Sequence, residues 1–455
     1  MDKLISVGLD VGTTTTQLIL SRLTVENRGN AFSVPQMAIG NREILYQSPV
    51  IFTPLISGEL VDGEAIAHWV TEQYSNANIA KNQVDTGAVI ITGETSRKEN
   101  AKEVLAHLSG FAGDFVVATA GPDLESVLSA KGAGATDYSA QTGRTVLHMD
   151  IGGGTSNLSF IENGKILRTG CLNVGGRLVK LDHSRKVTYL SPVLKGLTDL
   201  RLGDIPTESQ LAALADQLVK ALEMASGLLP PTELLEKLTT RENAGLWHPE
   251  RAEVISFSGG VADCIDKGAE PFAYGDIGVL LGRAIKNSPL CQSYRLGEQT
   301  IRATVIGAGC HSTQLSGSTV FNGDITLPKK NLPVAELTLP ITTEKIQNAY
   351  AGRDAENIVL SIPGDLSLNY GEIKALAQTL VDGSRGELIV CLQADMAKAL
   401  GHAIRLLQPD RPCLCIDGLD LQSESYLDIG NPIGPALPVV IKTLVLSTEG
   451  KRGTG

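Results

Sequence analysis

Apolar residues in this chain come in short blocks that end in glycine or small hydroxyl residues, and between the blocks apolar positions recur at helical spacing. Residues 4–10 and 16–23 read as two strands around a Gly-Thr-rich turn, which predicts a β-hairpin. The stretch that follows, as far as Pro54 and punctuated by Pro35, Pro49 and Pro54, reads as strand plus loop. Helices are predicted over 64–73 and 100–108. The apolar runs 89–92 and 115–119 bracket the second of these as buried strands, the strand–helix–strand rhythm of an α/β lobe. Residues 146–161 predict a second hairpin. From 210 to 225 apolar residues fall at 211, 214, 218 and 222, one face of a helix, which Pro230-Pro231 is expected to break.

After residue 310 the texture changes. Pro328, Pro333 and Pro340 punctuate a connector from 322 to 342, beyond which strands at 358–362, 388–392 and 413–416 alternate with helices at 372–380 and 396–407. That alternation predicts a separate small α/β domain, 343–455, with a turn-rich and then extended segment at 431–442. At 455 residues the chain has room for two or more domains, each with a full core. Its formal net charge of −11 offers no basic face to a nucleic acid, and no run approaches the roughly 20 apolar residues of a membrane span. Neither nucleic acid nor membrane is expected as a partner. Residues 1–8 begin a strand rather than a signal peptide, so the expected location is the cytoplasm. The seven cysteines are scattered without a Cys-x-x-Cys pair and read as core thiols, Cys413 and Cys415 facing one side of a strand. The histidines are equally dispersed, so neither zinc, haem nor a directly ligated cobalamin is expected.

The candidate chemistry sits at the two hairpins. Leu9-Asp-Val-Gly-Thr-Thr-Thr-Thr16 and Met149-Asp-Ile-Gly-Gly-Gly-Thr-Ser156 share one order: an apolar run, Asp, one residue, Gly, then small hydroxyl residues. A tight turn of this kind exposes backbone N–H groups and hydroxyls to a phosphate chain, and glycine permits close approach. In the first loop the candidates are Gly12, Thr13, Thr14 and Thr15; in the second they are Gly152, Gly153, Gly154 and Thr155. An aspartate cannot hold a phosphate, but Asp10 and Asp150 can hold the water shell of a bridging Mg²⁺, which keeps several waters and takes few carboxylates. A single Gly-rich turn is ordinary, whereas two that face each other clamp one nucleotide from both sides. A third element, Val254-Ile-Ser-Phe-Ser-Gly-Gly-Val261, ends a strand in Gly259-Gly260, where a flat adenosine can lie on bare backbone.

In that order the three segments resemble the phosphate-1, phosphate-2 and adenosine motifs of the actin, Hsp70 and sugar-kinase superfamily. The resemblance implies an α/β fold of two actin-like, ribonuclease H-like lobes, 1–145 and 146–321, with the C-terminal α/β domain added. It also implies two helices that cross between the lobes. Their candidates are 122–135 and 275–284, where small residues recur. Glu125 opens the first, and the similar helix of Hsp70-like ATPases begins with a glutamate that orients the attacking water; an acidic residue favoured by the helix dipole is the alternative.

One ATP clamp serves kinases, chaperones, filaments and sensors alike. Over its full length the chain resembles the ethanolamine ammonia-lyase reactivating factors, on Ser6-Val-Gly-Leu-Asp-Val-Gly-Thr-Thr-Thr-Thr-Gln17, Ala88-Val-Ile-Ile-Thr-Gly-Glu94, Cys171-Leu-Asn-Val-Gly-Gly-Arg177, Arg302-Ala-Thr-Val-Ile-Gly-Ala-Gly309 and Leu332-Pro-Val-Ala335. That resemblance implies an ATPase, using ATP and Mg²⁺, that binds ethanolamine ammonia-lyase and helps it exchange damaged cobalamin for intact adenosylcobalamin. Cobalamin would be handled through the lyase, in ethanolamine catabolism beside a bacterial microcompartment. A small-molecule kinase and a nucleotide-controlled filament or scaffold stay open as alternatives from the residues alone.

Overall fold

The molecule is described from a computed structural model, which covers residues 3–12, 15–27, 37–57, 60–92, 100, 103–104, 108, 122–240, 247–311, 313–316, 319–351, 357–364, 368–419, 421, 425–432 and 437–443. The strand expected at 115–119 and most of the helix expected at 100–108 lie outside these residues.

The first hairpin is β1 (Lys3–Val11) against β2 (Thr15–Asn27), followed by β3 (Met37–Gln47), the two-residue β4 (Ile51–Phe52) and a short pair, β5 (Leu55–Ser57) and β6 (Leu60–Val61). Helix α1 (Gly63–Asn76) starts where the Asp62 side chain accepts from the Ala65 N–H at 2.9 Å, and it leads to β7 (Thr86–Ile91). The sheet order is β3-β2-β1-β7, antiparallel except for the parallel pair β1·β7, with β4 beside Thr15 and Thr16. Leu9 and Val11 of β1 pack on Ile66 and Val70 of α1, because helical spacing puts those two on one face.

The next elements are α2 (Pro122–Gly132), α3 (Ala135–Thr142), β8 (Val146–Ile151), β9 (Ser156–Glu162) and β10 (Lys165–Leu172). A ribbon of β11 (Val179–Leu181) and β12 (Val187–Leu190) follows, then α4 (Glu208–Ala225), α5 (Glu233–Leu238), β13 (Val254–Ser258), α6 (Asp263–Asp266), α7 (Gly278–Lys286) and β14 (Tyr294–Leu296). The second sheet, β10-β9-β8-β13-β14, repeats the first: an antiparallel hairpin with a further antiparallel strand on one side and a parallel strand on the other. Helix α4 buries Leu211, Leu214, Leu218 and Leu222, the expected face. It ends at Ser226, before the prolines, because Gly227 takes a left-handed φ of 71°.

Helix 122–135 was expected to be continuous, but α2 stops at Gly132 and Gly134 turns left-handed, φ 70°, to start α3. The second crossing helix is not the expected 275–284. Within that stretch α7 packs on α4 and α6, inside the second half. The helix that meets α2 is α8 (Ala303–His311). Each of the two lies on the other half's sheet: α2 on β8, β9 and β10, α8 on β1, β2 and β7. Their contact requires glycine, since a Cβ on Gly132 would sit 1.9 Å from the Ala303 carbonyl oxygen and one on Gly307 would sit 2.0 Å from that of Leu128.

The remaining elements are β15 (Thr313–Leu315), β16 (Val320–Gly323), β17 (Lys329–Glu336), α9 (Thr343–Ala351), β18 (Val359–Ile362), α10 (Tyr370–Gly383), β19 (Leu388–Leu392), α11 (Ala397–Leu407), β20 (Cys413–Ile416), β21 (Ser425–Ile429) and β22 (Pro438–Thr443). They build one eight-stranded sheet, β15-β22-β21-β17-β18-β19-β20-β16, with β17 to β20 parallel. The stretch read as a connector, 322–342, therefore contributes a central strand. The β17·β21 register shifts between Lys329 and Leu332, just before Pro333, which pairs with Tyr426. Cys413 and Cys415 are both buried on the helix-covered face of this sheet.

Candidate functional site

The two hairpin turns share one bonding pattern. The Gly12 N–H donates to the Thr15 carbonyl at 2.9 Å, and the Gly152 N–H donates to the Thr155 carbonyl at 2.9 Å. The flanking parallel strand closes each in the same way, Thr92 N–H to Val11 and Val261 N–H to Ile151, both at 3.1 Å. Asp10 then stands opposite Gln17, and Asp150 opposite Asn157, one residue before each turn. Thr13 and Thr14 lie outside the described residues. Thr15 is held by pairing with Phe52.

The turns differ in their support. Behind the second, the Gly176 and Arg177 N–H groups donate to the Gly152 and Gly153 carbonyls, and a Cβ on Gly175 would come within 2.4 Å of the Gly153 oxygen. Gly154 has open space where a side chain would be. At the adenosine candidate, Gly259 has φ 87° and its Cβ would lie 2.3 Å from the Ile151 oxygen, so only glycine fits. The adjoining Gly260 is exposed with nothing above it. This places a bare backbone surface directly beside the second turn.

Asp10 and Asp150 are buried at the ends of β1 and β8, each feeling the cost of desolvation. Burial raises the Asp10 carboxyl to about 7, with hydrogen bonds from Thr92 and Gln17 opposing the rise and the charge of Asp150 adding to it. Asp150 rises to about 6 for the same reason, opposed by Ser258 and Thr304. The two strand ends thus bring the carboxylates into electrostatic contact. Among the described residues no group of three or more His, Cys, Asp or Glu could hold a metal ion. Two carboxylates alone fit a hard cation that keeps most of its waters, as Mg²⁺ does, and do not fit zinc.

Several residues around Asp150 escaped the sequence reading. His148 is fully buried and held neutral, its pKa pushed down to about 3 by desolvation and then by Arg295. The Ser258 hydroxyl donates to Asp150 Oδ1, so its oxygen accepts from His148 Nε2 at 2.9 Å, and His148 Nδ1 accepts from Ser256 at 3.2 Å. The hydroxyl of Thr304, in the first turn of α8, reaches the other Asp150 oxygen at 3.4 Å. On the first hairpin Thr92 donates to Asp10 at 3.0 Å. The available signal was polar residues at a spacing of two on apolar strands, His148 with Asp150 and Ser256 with Ser258. Glu125 lies in the opening turns of α2, where the adjacent Ser126 hydroxyl donates to the Gly170 carbonyl at 3.3 Å. No helix among the described residues is long and apolar enough to cross a membrane.

Two curated relatives align over 97 % of this chain and 98 % of their own length: the ethanolamine ammonia-lyase reactivase EutA of Salmonella typhimurium, 39 % identical over 471 residues, and that of Escherichia coli K12, 38 % identical over 467. Among solved structures, an Aquifex aeolicus member of the Ppx/GppA family is 14 % identical, with a TM-score of 0.40 over 67 % of this chain and 97 % of that one. The ADPNP-bound activator of the 2-hydroxyisocaproyl-CoA dehydratase from Clostridium difficile is 12 % identical, with a TM-score of 0.33 over 67 % and 93 %. The family model for the ethanolamine utilisation protein EutA matches residues 2–447, and the chain belongs to that family.

Proposed function

We propose that this chain is an ATP-dependent reactivase of ethanolamine ammonia-lyase, promoting exchange of damaged cobalamin for intact adenosylcobalamin. The observation that carries the reading is its near full-length similarity to two curated reactivases of that lyase. The duplicated turns support the ATPase half. In this reading the backbone N–H groups of Gly153 and Gly154, with the hydroxyls of Thr13, Thr14, Thr15 and Thr155, bind the phosphates, Gly12 and Gly152, whose own N–H groups close the two turns, let the phosphates come near, and Gly259-Gly260 carries the adenosine. Asp10 and Asp150 hold the hydrated Mg²⁺, whose chemistry is to neutralise phosphate charge as the terminal bond breaks. Glu125 orients the attacking water.

A closed lyase site that holds an inactive corrinoid opens only against a tight-binding ligand, and ATP is the free-energy source. Nucleotide exchange moves the halves 1–145 and 146–321 through the α2·α8 crossing, because Thr304 ties Asp150 to the start of α8. Lobe motion becomes lyase opening only if the two nucleotide states grip the lyase unequally. We place the protein in the cytoplasm, in association with an ethanolamine-utilisation microcompartment, and begin the added C-terminal domain at β15 rather than at 343, because β15, β16 and β17 belong to its sheet. Pull-down of the lyase should therefore change about fivefold or more between ADP and ATP, a coupling of about 1 kcal/mol. Gly153→Val, which blocks approach to the second turn, should abolish the difference. A lyase that never co-purifies under either nucleotide contradicts the reading.

A further inference from the structure

Two buried amide oxygens face the same ground as the two carboxylates. Gln17 and Asn157 are 3 % and 2 % exposed, and among the described residues Gln17 Oε1 and Asn157 Oδ1 have no hydrogen-bond partner. Burying an acceptor without a partner costs about 1–3 kcal/mol, so a pair of them calls for a ligand that donates. Their direction follows from register. Gln17 is paired with Asp10 and Asn157 with Asp150, and residues directly opposite in an antiparallel pair share one face of the sheet. The Gln17 amide nitrogen is already committed, donating to the Ile301 carbonyl at 3.1 Å just before α8 and hydrogen-bonding Asp10, which leaves the oxygen as the group still to be satisfied.

We propose that Gln17 and Asn157 are a second pair of acceptors at the cation site, their amide oxygens accepting hydrogen bonds from the water shell of a divalent cation whose charge Asp10 and Asp150 balance. This rests on the nucleotide-site reading above and adds the outer half of the cradle. The hairpin repeat then supplies one charged and one neutral oxygen from each side. Neutral oxygens suit this position, since two further carboxylates would raise the repulsion that Asp10 and Asp150 already share. Gln17 has a second consequence: it links the cation's waters to the backbone entering α8, as Thr304 links Asp150 to the same helix.

The test uses Mn²⁺ as the probe, read by electron paramagnetic resonance on the full-length protein with ADP, together with melting in EDTA. Asn157→Leu keeps the shape and removes the orphaned oxygen; Gln17→Met does the same and also removes the amide donor. Each should weaken Mn²⁺ by about tenfold or more, in the range of lost outer-shell partners. Metal-free Asn157→Leu should melt no lower than the parent, because an unsatisfied acceptor is gone. Cobalt(III) hexaammine, which cannot exchange its ligands and binds only through its N–H groups, should displace Mn²⁺ from the parent. Unchanged Mn²⁺ affinity in both variants overturns the assignment while leaving the nucleotide site standing, and so does failure of the cobalt complex to compete. A parent that binds no Mn²⁺ with nucleotide overturns both.

Discussion

Asp10 and Asp150 are buried carboxyls whose ordinary value of 3.8 is raised to about 7 and about 6. Between about pH 4 and pH 7 the folded protein holds protons there that the unfolded chain has released, so these groups make stability fall as pH rises through that window. A bound cation reverses the preference, because it favours the ionised pair. Without divalent ions, Asp10→Asn should therefore melt higher than the parent at pH 8, although it loses the stabilisation by Mg-ATP and most of the ATP turnover. Calorimetry in EDTA and in Mg-ATP, beside a phosphate-release assay, checks both halves, and undiminished turnover in Asp10→Asn and Asp150→Asn removes the proposed site. The parent should also bind Mn²⁺ about tenfold more weakly for each pH unit between about 7 and 6, where one proton competes, and about a hundredfold per unit below about 6, where two do. These two aspartates were legible because each sits inside a short motif. Thr92, His148, Ser256 and Ser258 were not, since their meaning arises only when β7 and β13 pair with β1 and β8, 108 residues separating His148 from Ser256.

The repeated strand order was legible among elements because period-two and continuous apolar runs survive in sequence. The crossing helices were legible only in kind. Small residues flagged 275–284 and recur equally in 302–309, which was not singled out as a crossing helix; what distinguishes the two is which sheet each helix covers. The connector was misread for a related reason, since Pro333 argues against a central strand, yet it pairs with Tyr426 just beyond a register shift between Lys329 and Leu332. Gly307→Ala puts a methyl about where the Leu128 oxygen lies, so the α2·α8 contact must open, costing about 1–3 kcal/mol. The variant should melt lower and lose the nucleotide dependence of lyase binding, while Mn²⁺ still binds at the hairpins. Normal coupling in a stably folded Gly307→Ala would show that the crossing does not transmit. At the start of α2, Glu125→Gln should slow hydrolysis about a hundredfold with nucleotide affinity nearly intact, the usual scale of a lost acid–base group. Equal loss of binding and turnover points to a packing role.

At the scale of the molecule, two sheets of common order face each other across one carboxylate pair, and each sends a helix onto the other's sheet. The α2·α8 contact is therefore the packing that joins the two halves helix to helix. The eight-stranded C-terminal sheet stands beside this machine, its edge strand β15 bordering β3 of the first sheet. A reactivase must restore ethanolamine ammonia-lyase inactivated with cyanocobalamin, on addition of this protein, Mg-ATP and free adenosylcobalamin. Recovery should require all three, should fail with Asp150→Asn, and should release cyanocobalamin in step with returning activity. Absence of recovery with a lyase from the same source, under conditions where the protein turns over ATP, would contradict the reactivase reading.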